Sequence, residues 1–193
     1  MNNEYQDPLG THLEQRKTNK INYLEQLEKD KIIERQIRFQ ELLISISTQY
    51  INSDLSDINN LINKSLQQIC EFVESDRSYI FSYDFISNTT SNTYEWCAKD
   101  VEPEIDNLQQ VPLDYFPQWV EAHKKGEAFF VEDVSLLPED GEHGLRAVLE
   151  PQGIKSLITI PKFKNKELIG FIGFDSVKKI NKFNDHEKEI LFV

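Results

Sequence analysis

Apolar side chains recur at Leu13, Ile21, Leu24, Leu27, Ile33, Ile37, Phe39, Leu42, Leu43 and Ile46 between charged residues, and neither glycine nor proline occurs from Thr11 to Val101. Spacings of three and four mark one face of a helix. The pattern therefore predicts a helix of roughly 40 residues, about 60 Å long at 1.5 Å per residue. Such a helix outruns a small domain. Its first half, residues 11–38, is expected to bury its stripe on a second copy of the chain, although the apolar positions keep no strict seven-residue repeat. Residues 1–10 are polar, end in Pro8 and Gly10, and read as a disordered lead-in.

A second helix is predicted after Asn52-Ser53-Asp54, with Leu55, Ile58, Ile62, Leu66, Ile69 and Val73 on one face and Ser53, Asp54 or Ser56 as its cap. Cys70 lies beside that face and reads as a small buried hydrophobe. Arg77–Asp84 and Thr89–Ala98 are rich in aromatic and hydroxyl residues and are predicted to pair as an antiparallel hairpin across Phe85-Ile86-Ser87-Asn88. From Lys99 to Gln118 the pattern breaks into acids, amides and prolines, a long connection of the kind that often carries function. A short helix around Phe116–Ala122 closed by Gly126, a short strand at Ala128–Val131 and a helix over about Pro138–Glu150 follow.

The strongest strand signal comes last. Ile154–Pro161 and Glu167–Val177, joined by Lys164-Asn165-Lys166, are apolar at nearly every position, which predicts sheet-centre strands covered on both faces. Gly170 and Gly173 inside the second arm mark a bulge or a close approach to the backbone. Asn184 and Glu187 form a capping-box pattern for a final helix still apolar at Ile190–Val193, which predicts a longer parent protein. Hairpins with helices gathered at both ends of the chain make the fold class α+β.

Charge narrows the choice of partner. The formal net charge is −12, and residues 95–142 carry thirteen acids against three bases. Such a surface repels phosphate backbones and anionic membranes, so neither nucleic acid nor membrane insertion is expected. No apolar run reaches a membrane span, and the opening residues lack signal-peptide character. Cys70 and Cys97 are too few for a disulfide framework. The expected location is cytoplasmic, with both thiols reduced.

Site chemistry is sparse. Histidines 12, 123, 143 and 186 show no metal-ligand spacing, no Gly-x-Ser-x-Gly elbow occurs, and Gly153-Ile154-Lys155-Ser156 fails as a phosphate loop because Val148 stands where the earlier glycine would be. Glu132-Asp133 and Glu139-Asp140 read as solvated loop acids. No catalysis, cofactor or metal is expected.

Four stretches together carry a family resemblance. These are Gly153–Pro161, Glu167–Ser176, Phe183-Asn184 and, more loosely, Asp76–Phe81. Over about Phe39–Val193 the chain resembles a GAF domain, and Ser91–Cys97 followed by Ile105–Gln109 is similar to GAF domains of bacterial sensor kinases and diguanylate cyclases. The resemblance implies a central antiparallel sheet with the terminal helices on one face and a pocket on the other, roofed by the irregular segment and preceded by the long N-terminal helix. It implies a homodimer through the terminal helices. It also implies a sensory role in which a small molecule binds noncovalently and the signal passes to an output domain, such as a histidine kinase or diguanylate cyclase, outside residues 39–193. The alternative is a dimerisation or spacer module that binds nothing. Covalent bilin attachment needs a pocket cysteine in a context that Cys70 and Cys97 lack, and the dispersed signature of cyclic-nucleotide GAF domains is absent. Candidate ligand contacts are Tyr94, Trp96, Asn107, Trp119, Arg146, Ser156, Phe171 and Asp175, a set offering aromatic walls and a few polar handles.

Overall fold

A computed structural model describes residues 8–139, 141, 144–181, 183 and 191, with side chains within the first helix described from residue 15 onward. The final helix expected from Asn184 lies outside the described residues. Two compact units divide the chain, Met1–Glu41 and Leu42–Val193.

Helix α1 runs from Pro8 to Ile51. In the first unit it leaves Ile21, Leu24, Ile33 and Ile37 half or more exposed, at 55%, 53%, 53% and 50%. No helix among the described residues is long and apolar enough to cross a membrane.

The second unit is built on one sheet. Its strands are β1 (Arg77–Asp84), β2 (Thr89–Cys97), β3 (Val111–Pro112), β4 (Phe129–Val131), β5 (Ser156–Lys164) and β6 (Glu167–Ser176), in the spatial order β3-β2-β1-β6-β5-β4. Every neighbouring pair is antiparallel. The β1–β2 and β5–β6 hairpins follow the predicted pairing. The β5–β6 turn is made by Asn165 and Lys166, both at positive φ (52° and 70°), a conformation that matches the strands' right-handed twist. β5 begins two residues later than expected, at Ser156, and continues to Lys164.

Period-two alternation divides the sheet's residues between two cores. On one face, Ile158 and Phe174 pack with Cys70 and Val73 at the end of helix α2 (Ile58–Phe72). On the other face, Tyr79, Phe81, Leu157 and Phe171 pack with Trp119 and Val120 of helix α3 (Pro117–Lys124) and with Leu149 of helix α4 (Leu145–Leu149).

Three helix expectations change. Leu55 falls in a 3-10 turn, Leu55–Asp57, before α2 and is 89% exposed, so the buried stripe of α2 comes down to Leu66 and Cys70. No side chain caps α2, and Ser53 instead donates its hydroxyl back to the Gln49 carbonyl. The helix predicted from Pro138 starts only after Gly144, whose extended backbone (ψ 159°) precedes α4, and it ends in a 3-10 turn, Glu150–Gln152, closed by left-handed Gly153 at φ 71°.

The two strand glycines serve strand β1. A Cβ on Gly170 would collide with the Phe81 carbonyl, and a Cβ on Gly173 would collide with the Tyr79 ring. Gly173 thus clears the sheet surface for Tyr79 to lie across β6 and reach the residue beyond it, Asp175.

Candidate functional site

Arg77 and Asp175 face each other across the β1–β6 pair and are buried, at 1% and 0% exposure. Arg77 donates to Asp175 Oδ2 from Nε at 3.1 Å and from Nη2 at 2.9 Å, and the Tyr79 hydroxyl donates to Oδ1 at 2.7 Å. Two longer bonds run outward from the guanidinium, from Nη1 to the Glu102 carbonyl at 3.3 Å and from Nη2 to Gln152 Oε1 at 3.4 Å. Burial works to lower the Arg77 pKa, but the charge and hydrogen bonds of Asp175 outweigh it and leave it above its ordinary value. Burial also pushes the Asp175 carboxyl up, with Arg77 and Tyr79 pulling against it. Three donors converging on one carboxylate keep the pair ionised at neutral pH. Tyr79, raised well above the phenol range by burial and then by Asp175, stays a neutral donor.

This ion pair closes one end of a cavity of about 40 Å³ whose remaining lining is overwhelmingly apolar. Its floor is aromatic, with Phe81 stacked on Phe171 at 4.8 Å and Tyr79 edge-on to Phe81 at 5.3 Å. Trp119 forms a wall, edge-on to Phe171 at 5.3 Å and stacked on Phe129 at 5.4 Å. Its indole N–H is buried and has no hydrogen-bond partner among the described residues. Phe116 and Trp119 also line a second hollow of about 210 Å³, bounded by residues 114–118 and by Gly144 and Leu145. The two residues therefore border both spaces.

The irregular segment after β2 supplies the roof through Leu108 and Val111. It is pinned by a carboxylate, since Glu95 Oε2 accepts the backbone N–H groups of Glu104 and Ile105 at 2.8 and 3.0 Å. The Gln109 amide donates to the Asn92 carbonyl at 2.8 Å, and the Asn92 N–H donates to the Leu108 carbonyl at 2.9 Å.

Beside the cavity lies a buried polar chain. The Tyr83 hydroxyl pairs with His123 Nδ1 at 2.7 Å, and His123 Nε2 pairs with Thr159 Oγ1 at 3.0 Å. Burial lowers the His123 pKa to about 4, so the ring is neutral and each nitrogen has one partner.

Of the candidate contacts, the structure brings Trp119, Phe171 and Asp175 together on this cavity. It places the other five elsewhere. Tyr94 and Trp96 pair with Ile80 and Ser78 and so face α2, where the Tyr94 hydroxyl donates to Asn59 Oδ1 at 2.7 Å. Ser156 points the same way and accepts the Asn181 N–H at 2.9 Å. Asn107 donates to Glu104 on the surface, and Arg146 forms exposed ion pairs with Glu139 and Glu150. Arg77 and Tyr79 were missed. The available signal was an arginine opening a strand in step with the aromatic residues Tyr79, Phe81 and Tyr83.

No cysteine is among the cavity-lining residues. Burial pushes Cys70 to about 12, and burial followed by the Glu95 charge does the same to Cys97, so both are protonated thiols at neutral pH. Among the described residues, no group of three or more His, Cys, Asp or Glu could hold a metal ion.

Comparison with known proteins agrees with this architecture. The GAF domain model matches residues 57–193. The methanogenesis regulatory histidine kinase FilI of Methanothrix harundinacea is 37% identical over 142 residues, 71% of this chain. The chain covers 16% of that kinase's length. Among solved structures, the phycocyanobilin-bound GAF domain of a cyanobacterial phytochrome superposes with a TM-score of 0.64 at 19% identity, covering 79% of this chain and 87% of that one. The blue-light-absorbing form of the Thermosynechococcus elongatus PixJ GAF domain gives 0.58 at 15% identity, covering 71% and 82%. With the family model spanning the whole sheet and the neighbours sharing its fold, the chain belongs to the GAF domain family.

Proposed function

We propose that the second unit is a sensory domain that binds a small molecule noncovalently in the cavity over Phe81 and Phe171, and that its state passes through the flanking helices of a homodimer to an output domain. The observation that carries this reading is the ion pair Arg77–Asp175, buried at the end of an apolar cavity. An ionic group kept there costs desolvation that a hydrophobic pair would avoid, and such residues recur where ligands bind. The resemblance to FilI supports a histidine kinase as the output, and our reading is of a two-component system in the cytoplasm. The exposed Ile21, Leu24, Ile33 and Ile37 supply a coiled-coil-like dimer face on α1.

A bound bilin, as in the phytochrome neighbour, fits this chain poorly. A cavity of about 40 Å³ is well below the roughly 150 Å³ of a cavity that holds benzene, and the lining offers no thiol. The same small volume favours a second reading, a dimerisation or spacer module whose pocket is filled by its own aromatics. Native mass spectrometry of the chain as purified, beside a version lacking residues 1–38, separates the two. A dimer lost on truncation together with a retained small molecule supports the sensor. A dimer with no added mass, and no response to ligand screening, supports the spacer.

A further inference from the structure

The unused hydrogen-bonding capacity around the cavity includes N–H donors. A guanidinium has five N–H donors. Arg77 commits four of them, to Asp175 twice, to Glu102 and to Gln152, leaving one on Nη1. Trp119 adds a buried N–H with no acceptor among the described residues, an arrangement that favours an added acceptor. Of the nearby acceptors, Asp175 takes three donors and Gln152 Oε1 takes Arg77, while the Thr90 hydroxyl donates to the Ser82 carbonyl and keeps its own lone pairs. The buried indole N–H and the spare guanidinium N–H are the donors still to be matched.

Charge is balanced in the other direction. Arg77 is neutralised by Asp175, and Glu95 stands close enough to act on both. A ligand carboxylate would be a second anion on one guanidinium in a low-dielectric space, where like charges repel strongly. The floor of Phe81 and Phe171 and the wall of Trp119 suit a flat ring.

We propose that this cavity takes a neutral aromatic molecule bearing a single hydrogen-bond acceptor, such as an aryl ketone or amide, and rejects the corresponding carboxylate. The proposal rests on the sensory reading above and specifies the ligand class for the same site. Phe116 and Trp119 border both spaces. If the Phe116 and Trp119 rings turn, the cavity of about 40 Å³ joins the hollow of about 210 Å³. The joined space exceeds the roughly 150 Å³ that suffices for a benzene-sized guest. The two long Arg77 bonds, to Glu102 and Gln152, are the ones that yield most readily as the space opens.

The test is calorimetric titration of the full chain with acetophenone, benzoate and ethylbenzene at neutral pH. Acetophenone is expected to bind with a Kd below about 1 mM and at least ten-fold tighter than either of the others. Trp119→Phe keeps a ring in the wall and removes the N–H, and it is expected to shrink the preference for acetophenone over ethylbenzene several-fold while ethylbenzene binding holds. Benzoate binding as tightly as acetophenone, in a manner sensitive to Trp119→Phe, overturns the ligand class and leaves the sensory reading standing. No binding of any probe also overturns the class. In that event a molecule retained by the purified protein in native mass spectrometry keeps the sensory reading, and its absence removes that too.

Discussion

The two faces of the sheet are made by the same strands and have opposite characters. Against α2, alternate residues of β5 and β6 present Ile158 and Phe174 to Cys70 and Val73, an apolar layer. Against α3 and α4, the intervening residues present Phe81, Phe171, Arg77 and Asp175, with a cavity and an unpaired N–H. A step of one residue along β6, from Phe174 to Asp175, passes from hydrophobic core to candidate binding site. Stability and recognition are thus interleaved at period two on one element, and a substitution on one face can be read against its neighbour on the other.

The largest expected effect comes from breaking the ion pair. Asp175→Ala strands the Arg77 charge in the interior and should cost about 3–5 kcal/mol, about a fifth or more of a typical domain's stability of about 5–15 kcal/mol. Urea denaturation measures it, and a loss under about 1 kcal/mol would mean that water reaches the guanidinium.

Next is the His123 chain on the cavity face. The folded pKa, about 4, lies below the ordinary value of 6.5, so the unfolded chain takes up a proton that the folded one refuses as pH falls through that window. Stability is therefore full above about pH 6.5 and declines toward pH 4, by about 3 kcal/mol at roughly 1.4 kcal/mol per pH unit. Denaturation midpoints at pH 7 and pH 4.5 should differ less in His123→Gln than in the parent chain. Equal differences would show that His123 does not resist protonation.

The smallest effect should come from the α2 face. Tyr94→Phe removes one partly exposed hydrogen bond to Asn59 and should cost less than about 1 kcal/mol, with probe binding unchanged. Weakened probe binding would place a ligand on the wrong side of the sheet.

Much of this architecture was legible in the chain, and the losses have physical causes. Arg77–Asp84 is a strand over the residues its alternation predicted, because β-branched, aromatic and hydroxyl residues in period two have few alternatives. Alternation says that Tyr94 and Trp96 share a face; it does not say which. Their side is set by pairing with Ile80 and Ser78, and the register slips between Ile80 and Phe81, so the aromatic pair turns to α2. Arg146 looked available for a ligand because acids dominate the surrounding sequence, and those same acids, Glu139 and Glu150, engage it at the surface. Arg77 escaped notice because its partner lies 98 residues away, beyond any local pattern. The glycines at 170 and 173 signalled a bulge or a close approach without saying of what, and the approaching groups are Phe81 and Tyr79 of this chain's own neighbouring strand.

The central claim, that the aromatic face and not the α2 face receives the ligand, can be read from two signals. The chain has two tryptophans, and they stand on opposite faces of the sheet, Trp119 at the cavity and Trp96 against α2. In a nitrogen–proton correlation spectrum recorded as acetophenone is added, the indole resonance of Trp119 is expected to move progressively and saturate while that of Trp96 stays in place. Movement of Trp96 alone, or of neither resonance at saturating probe, would contradict it.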